Sequence, residues 1–537
     1  MMKILLIVPR YNFTNEASYR YAFPLGFAYI SAVLKRAGYP VNTLNLNHIS
    51  GEIDDIILKE LDKESYGLVC TGNTYLGLLI TQKSISVIKK HPSRPKIVLG
   101  GAIVTKEPEI MIDILKPDFV VIEEGEETIL ELISCLEQEK VFTDVKGIGY
   151  FDENGKIKIN ERRAQIENLD GLPFPDLEGL EFAEWVDHQC TNDIFNGMVD
   201  FPRPYPILGS RGCAYKCTFC YHFSSRYKMR TVDSMIAELK ENVKKYRINT
   251  LNLYDDLFSA NKARILEFCS KLKGIQNDIP WELKWGCQLA VNVVDKDMIN
   301  TLKESGCVWI SFGFESMHQN VLNSMDKRFI TPAMILQAYR LCKEAKINVQ
   351  ANFIFGDIAE TKETAAETLD NYRKHFAGQI YLAFVRPYPG SGIYEYCVKN
   401  GIIKDKVEFV RNLDILSENY YNFTNMSETE FDELKKTVIR YNVKYSRFVV
   451  PRLTEVSKGI YNVETKCPHC KSHQKYNKIR IENRKSFALW LICRNCAMRY
   501  YIASYLQKLG TKVYPSLKPF IDFYNRNKIN IKKKIFA

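Results

Sequence analysis

No uncharged apolar run in this chain reaches the 18 or so residues needed to cross a bilayer. The opening MMKILLIVPRYN is a short strand-like run with no small-residue cleavage site behind it. Neither a membrane span nor a secretory leader is therefore predicted, and a cytoplasmic protein is expected. Internal repeats and low-complexity stretches are also missing, which sets aside solenoids and disordered arrays. No GxGxxG follows the first apolar run, which argues against an NAD or FAD site.

What is present is a 537-residue chain, 46% hydrophobic and 26% charged, ordinary for a soluble globular protein. It is long enough for roughly two to four domains. Part of the net charge of +11 sits in the tail FYNRNKINIKKKIFA, which reads as a solvated end, so a nucleic-acid partner is not expected. Of the 15 cysteines, Cys70, Cys135, Cys190, Cys269, Cys287, Cys307, Cys342 and Cys397 are scattered through apolar or helical runs and read as free thiols. A disulfide framework does not suit a cytoplasmic chain. The rest form two tight groups.

The chain up to about residue 140 alternates short Val/Ile/Leu runs with amphipathic ones, predicting an α/β, doubly wound, Rossmann-like domain over 1–140. Its ligand belongs at the carboxyl ends of the strands, in loops such as CTGNT, LGGAI and EEGEE. Residues 141–204 read as a hairpin turning at Asn154-Gly155 followed by a Pro-rich linker. Six further βα units over 205–410 predict a partial (β/α)6 barrel with its chemistry at the carboxyl rim. A helical extension (411–460), a small ribbon (461–505) and a basic tail (506–537) complete the expected order.

The loop GSRGCAYKCTFCYHF follows the first barrel strand and places Cys213, Cys217 and Cys220 close together. With His222 they could make four zinc ligands, although Cys-x-His would crowd two ligands together. Alternatively, three thiolates could hold three irons of a [4Fe–4S] cluster and leave the fourth open to chelate the amino and carboxylate groups of S-adenosylmethionine (SAM).

C-x-x-x-C-x-aromatic-C after a first barrel strand resembles the signature of the radical SAM superfamily, and the likeness extends over about 205–400. The resemblance implies that Cys213, Cys217 and Cys220 hold the cluster. It also implies that Phe219, Asp255, Asp256, Glu315 and Gly356 lie against SAM. Two departures stand out: Ala290 occupies a position where relatives usually carry arginine, and FGDIAET replaces a Gly-x-Pro-Gly-Glu-Thr turn.

Upstream, PLGFAYISAVLKRAGYPV, VLGGAIVTKEPE and VIEEGEETILELI resemble the cobalamin-binding domain of B12-dependent radical SAM enzymes. This implies that Pro9, Leu25, Gly26, Thr71, Gly72, Asn73, Gly100, Gly101, Glu124, Gly125 and Glu126 surround cobalamin. The D-x-H-x-x-G motif that supplies a cobalt-ligating histidine is missing; His48 and Gly51 form a look-alike after the wrong strand, so cobalt without a histidine below it is expected.

Cys467-Pro-His-Cys470 and Cys493-Arg-Asn-Cys496 are paired CxxC units suited to a zinc ribbon, with an auxiliary iron–sulfur cluster as the alternative. His469 and His473 are expected to be exposed.

The function these resemblances imply is a C-methyltransferase that uses SAM both as methyl source, through methylcobalamin, and as source of a 5′-deoxyadenosyl radical. A small or carrier-bound substrate and an electron donor such as flavodoxin or ferredoxin are the implied partners. A B12 radical SAM cyclase or oxidoreductase without methyl transfer is the first alternative, and a cobalamin- or redox-sensing binding protein that contacts nucleic acid the second.

Overall fold

The computed structural model describes residues 1–510 apart from 12, 13, 194, 225 and 414–419, so most of the expected basic tail lies outside the described residues.

Seven strands form the first sheet: β1 (Ile4–Val8), β2 (Val41–Asn45), β3 (Leu68–Gly72), β4 (Lys96–Gly100), β5 (Phe119–Val121), β6 (Ile148–Phe151) and β7 (Ile157–Ile159). Their order is β2-β1-β3-β4-β5-β6-β7, with the first five parallel. All five residues of β1 are buried, because helices cover both faces of a parallel sheet and the strand must be apolar throughout. The strand order reverses beside β1, so the loops after β1, β3, β4 and β5 open onto a shared carboxyl edge. The helix Leu25–Arg36 stops at Gly38, whose φ of +89° ends it in a left-handed turn. The hairpin does turn through Asp152–Lys156, but it belongs to this sheet rather than to a linker: β6 pairs antiparallel with β5 and extends the domain past residue 140.

The second sheet contains β8 (Pro204–Ile207), then, after the short pair β9 (Ser210–Arg211) and β10 (Lys228–Met229), β11 (Thr250–Leu253), β12 (Lys284–Gln288), β13 (Cys307–Glu315), β14 (Asn348–Phe355) and β15 (Tyr381–Phe384). These six long strands run parallel in the order β15-β14-β13-β12-β11-β8, an open partial barrel. Trp285 and Trp309 are fully enclosed near the amino ends of their strands, Trp285 packing on Phe268 of the helix Lys262–Asn277 and Trp309 over Gly286. β9 and β10 pair antiparallel and close off the cysteine loop as a separate excursion from the rim.

The expected helical extension is shorter than predicted. Helix Glu428–Lys444 is present, but β16 (Phe448–Val449) and β17 (Arg452–Ser457) already belong to the ribbon, where β17 pairs with β18 (Ile460–Lys466). β19 (His473–Arg480), β20 (Ala488–Ile492) and β21 (Arg499–Ala503) complete two three-stranded sheets around a small core of their own. Among the described residues no helix is long and apolar enough to cross a membrane.

Candidate active site

The carboxyl edges of both sheets face one cavity of about 440 Å³. From the first domain it is lined by residues that include Leu25, Gly26, Thr71, Gly72, Asn73, Gly100, Gly101, Glu124, Gly125 and Glu126, and from the barrel by residues that include Arg211, Gly212, Phe223, Tyr254 and Asp256. Ten of the eleven residues assigned to cobalamin therefore line one wall. Pro9 does not: it is buried, and its carbonyl accepts a hydrogen bond from Asn47 Nδ2 at 2.9 Å, which turns the chain aside there.

Two glycines show what this wall can receive. A Cβ placed on Gly26 or Gly100 meets no protein atom within 4 Å, so both leave open space on the cavity side. Gly72 and Gly101 are different, since a Cβ there would press on backbone oxygens at 2.9 Å. The residues present thus fit a bulky planar ligand laid over backbone. Gly100→Val is expected to weaken cobalamin binding roughly ten- to hundred-fold, the effect of overfilling a packed contact, with the melting temperature little changed; absorbance titration checks it. His48 takes no part in this wall. Its Nδ1 lies 2.5 Å from Glu181 Oε2 and its Nε2 lies 2.7 Å from Tyr21 Oη.

The cysteine loop leaves β9 through Gly212, whose φ is +76° and whose Cβ would fall 2.4 Å from the Arg226 carbonyl oxygen, so glycine is required. The loop is pinned at its centre: Thr218 N–H donates to Met325 O at 3.2 Å and Thr218 O accepts from Ile393 N–H at 2.9 Å. Tyr215 stacks on Phe329 at 3.7 Å, and Tyr221 Oη donates to Ala102 O of the first domain at 3.2 Å. Cys213, Cys217 and Cys220 are all half-buried. Burial pushes the Cys217 thiol up to about 11 and that of Cys220 to about 12. Among the described residues, the groups whose ligand atoms all lie within 4.8 Å of one another are Cys467/Cys470/Cys493/Cys496 and His48/Glu181/Glu184; the loop trio is not one of them. A single zinc needs sulfurs about 3.8 Å apart, following from Zn–S bonds of about 2.3 Å. Thiolates on three separate irons stand wider.

The residues assigned to SAM divide. Asp256 lines the cavity. Phe219 and Glu315 are joined by a residue the sequence reading missed, Lys327, whose Nζ sits 5.8 Å from the Phe219 ring centroid and 2.8 Å from Glu315 Oε1. Gly356 gives its N–H to the buried Glu360 carboxylate and faces Phe384 and Phe431. Asp255 requires correction. It is completely buried, with Oδ2 accepting from Gly209 N–H at 3.1 Å and Oδ1 from Ser210 Oγ, so it anchors the chain entering the cysteine loop and does not face a ligand.

Burial pushes the Asp255 carboxyl up to about 7 despite these hydrogen bonds. Its contribution to stability is complete below its ordinary value of 3.8 and is lost as pH rises through about 7. Asp255→Asn keeps an acceptor for Gly209, and Ser210 can give its proton to Leu257 O instead. Comparing urea midpoints at about pH 5 and about pH 8, the variant is expected to show a smaller difference than the parent.

Two cations were also missed. Arg211 Nη1 lies 2.9 Å from Glu124 Oε1 and its Nη2 2.5 Å from Glu126 Oε1, while Lys228 Nζ lies 2.8 Å from Glu124 Oε2. The carboxylates of Glu124 and Glu126 are thus held by the barrel at the cavity wall. Burial opposes ionisation of Glu124, but Lys228 and Arg211 overcome it and hold its carboxyl below the usual range.

In the ribbon, Cys467 and Cys496 sulfurs are 3.9 Å apart and those of Cys470 and Cys493 3.6 Å. His473 is exposed, but His469 is half-buried because its Nε2 lies 3.0 Å from the Arg499 carbonyl.

Comparison with known proteins agrees with this two-walled arrangement. Residues 14–133 match the B12 binding domain and residues 207–371 match the Radical SAM superfamily. An uncharacterized methyltransferase of Pyrococcus horikoshii is 28% identical over 418 residues, covering 75% of this chain and 84% of the relative. The anaerobic magnesium-protoporphyrin IX monomethyl ester cyclase of Rubrivivax gelatinosus is 25% identical over 419 residues, covering 76% of this chain and 71% of its own. Among solved structures, the radical S-adenosylmethionine methyltransferase TsrM of Kitasatospora setae, with cobalamin and a [4Fe–4S] cluster bound, superposes with a TM-score of 0.60 at 18% identity, covering 74% of this chain and 76% of that one. The chain therefore carries a B12 binding domain followed by a radical SAM domain whose cysteine loop lies on the barrel rim.

Proposed function

We propose that this protein is a cobalamin-dependent radical SAM methyltransferase acting on carbon. The observation that carries the proposal is the shared cavity, in which the glycine-lined wall of the first domain faces the strand that delivers the cysteine loop. When bound, the cluster would supply the electron that cleaves SAM to a 5′-deoxyadenosyl radical, and cobalamin would supply a carrier for the methyl group.

Cys213, Cys217 and Cys220 would be the cluster ligands, and Asp255 positions their loop through Gly209 and Ser210. Phe219, with Lys327 over its ring, would offer an aromatic face beside the bound cluster. Of the acidic groups assigned to SAM, Asp256 is the one that lines the cavity. Burial raises its carboxyl above the ordinary range, against the opposing pull of His222. Gly26 and Gly100 leave room for a corrin ring, and the Arg211 and Lys228 ion pairs fix that wall against the barrel. The substrate would be a small or carrier-bound molecule, and flavodoxin or ferredoxin would supply electrons.

The test is anaerobic reconstitution with iron, sulfide and cobalamin, followed by product analysis with SAM. Release of both S-adenosylhomocysteine and 5′-deoxyadenosine is expected. The likeness to the cyclase, over 76% of this chain, favours a second reading without methyl transfer. That reading requires 5′-deoxyadenosine alone.

A further inference from the structure

We propose that Cys467, Cys470, Cys493 and Cys496 bind a zinc ion, and that this ion fastens the ribbon across the amino-terminal floor of the barrel, opposite the cavity. The proposal is independent of the reaction assigned above.

The four sulfurs lie within 4.8 Å of one another, with separations of 3.9 Å for Cys467–Cys496 and 3.6 Å for Cys470–Cys493. These are too long for disulfides, whose S–S bond is about 2.05 Å. They match a tetrahedron of thiolates about 2.3 Å from one zinc, whose edges are about 3.8 Å. A cubane would place each thiolate on its own iron and spread them wider. The surroundings also suit anionic sulfur: His469 N–H donates to Cys467 Sγ at 3.4 Å, and Cys470 Sγ lies 3.0 Å from Ser472 Oγ and 3.6 Å from Asn495 Nδ2. With four sulfurs occupied no position stays open, so the ion serves structure rather than chemistry.

The second CxxC unit is itself the docking element. Directly after Cys496, Ala497 O accepts from Asn348 Nδ2 at 2.8 Å, at the start of β14. Arg499 and Gln379 then exchange two hydrogen bonds, at 2.7 and 3.0 Å, just before β15. On the other side, the segment leading into the barrel grips β19: Thr191 Oγ1 donates to Asn477 O at 2.6 Å, Asn192 and Arg480 pair reciprocally at 2.8 and 2.9 Å, and Asp200 holds both Asn477 N–H and Arg494. Phe195 in the same segment stacks on Trp309 at the floor of the barrel, 4.7 Å between centroids. A ribbon that loses its ion would release Ala497 and Arg499 along with the cysteines, leaving the buried Asn348 and Gln379 side chains without partners.

The test is metal analysis of three full-length proteins: the parent, Cys213→Ala/Cys217→Ala/Cys220→Ala, and Cys470→Ser/Cys493→Ser. About one zinc per chain is expected in the first two and none in the third. Chelating the parent's zinc is expected to lower its melting temperature, and returning zinc to restore it. Should the serine variant fail to fold, cobalt(II) added to the chelated parent is expected to show thiolate-to-cobalt charge transfer of a tetrahedral site. Iron with acid-labile sulfide retained in the loop variant would overturn the zinc assignment, as would zinc that disappears with the loop cysteines. Removal of zinc without any change in melting temperature would overturn the fastening role.

Discussion

Cys217→Ala is expected to abolish reductive SAM cleavage, lowering 5′-deoxyadenosine formation by on the order of 10³-fold or more, since the uncatalysed background is all that remains without the electron-delivering group. Cobalamin uptake should stay within about two-fold of the parent, because no wall residue contributed by the first domain is altered. The loop should also keep its course, as Thr218 remains held by Met325 and Ile393. Anaerobic product chromatography and an absorbance titration with cobalamin check the two halves separately. A variant that still cleaves SAM at the parental rate would show that this thiol holds no iron.

Arg211→Ala is expected to have the largest effect on stability. It would leave Glu126 buried without the guanidinium and Glu124 with Lys228 as its remaining cation. Breaking a buried ion pair by removing one partner costs about 3–5 kcal/mol. The loss should appear as a lower denaturant midpoint for the first unfolding transition and as weaker cobalamin binding. Arg211→Met combined with Glu126→Leu should recover most of it, because Glu124 keeps Lys228 and the Ile166 N–H at 2.7 Å. Acid should act in the same direction. The Glu124 carboxyl is held below its ordinary value of 4.5, so its contribution is present above that pH and is lost as pH falls through the lowered value. The urea midpoint of the parent should therefore fall as pH drops below about 4.5.

Much of the fold was legible because it rests on local pattern. The strands of a parallel sheet covered on both faces must be apolar along their length, and ILLIV, LVCTG and KIVLG read that way. The cysteine loop was legible because its spacing and its place after β8 lie within a few residues of sequence. What was missed depends on distant partners. Arg211 meets Glu124 across 87 residues and Lys228 meets it across 104, so no periodicity shows that a charge in GSRGC welds two domains. Asp255 was misassigned because a strand-end carboxylate looks the same in sequence whether it faces a ligand or caps Gly209 and Ser210. The hairpin turn at Asn154-Gly155 was readable, whereas its pairing with β5, which moves the domain boundary, was not. For the same reason β17 passed as an extension of the preceding helix: its pairing with β18 supplies the order that its exposed, charged residues lack.

The central claim is that the trio of loop cysteines holds a cluster with one iron open to SAM. Electron paramagnetic resonance of the anaerobically reconstituted and reduced Cys470→Ser/Cys493→Ser protein, recorded with and without SAM, tests it most directly. The account predicts a [4Fe–4S]⁺ signal whose g-values shift when SAM is added. A signal indifferent to SAM, or zinc in place of iron at Cys213, Cys217 and Cys220, would contradict it.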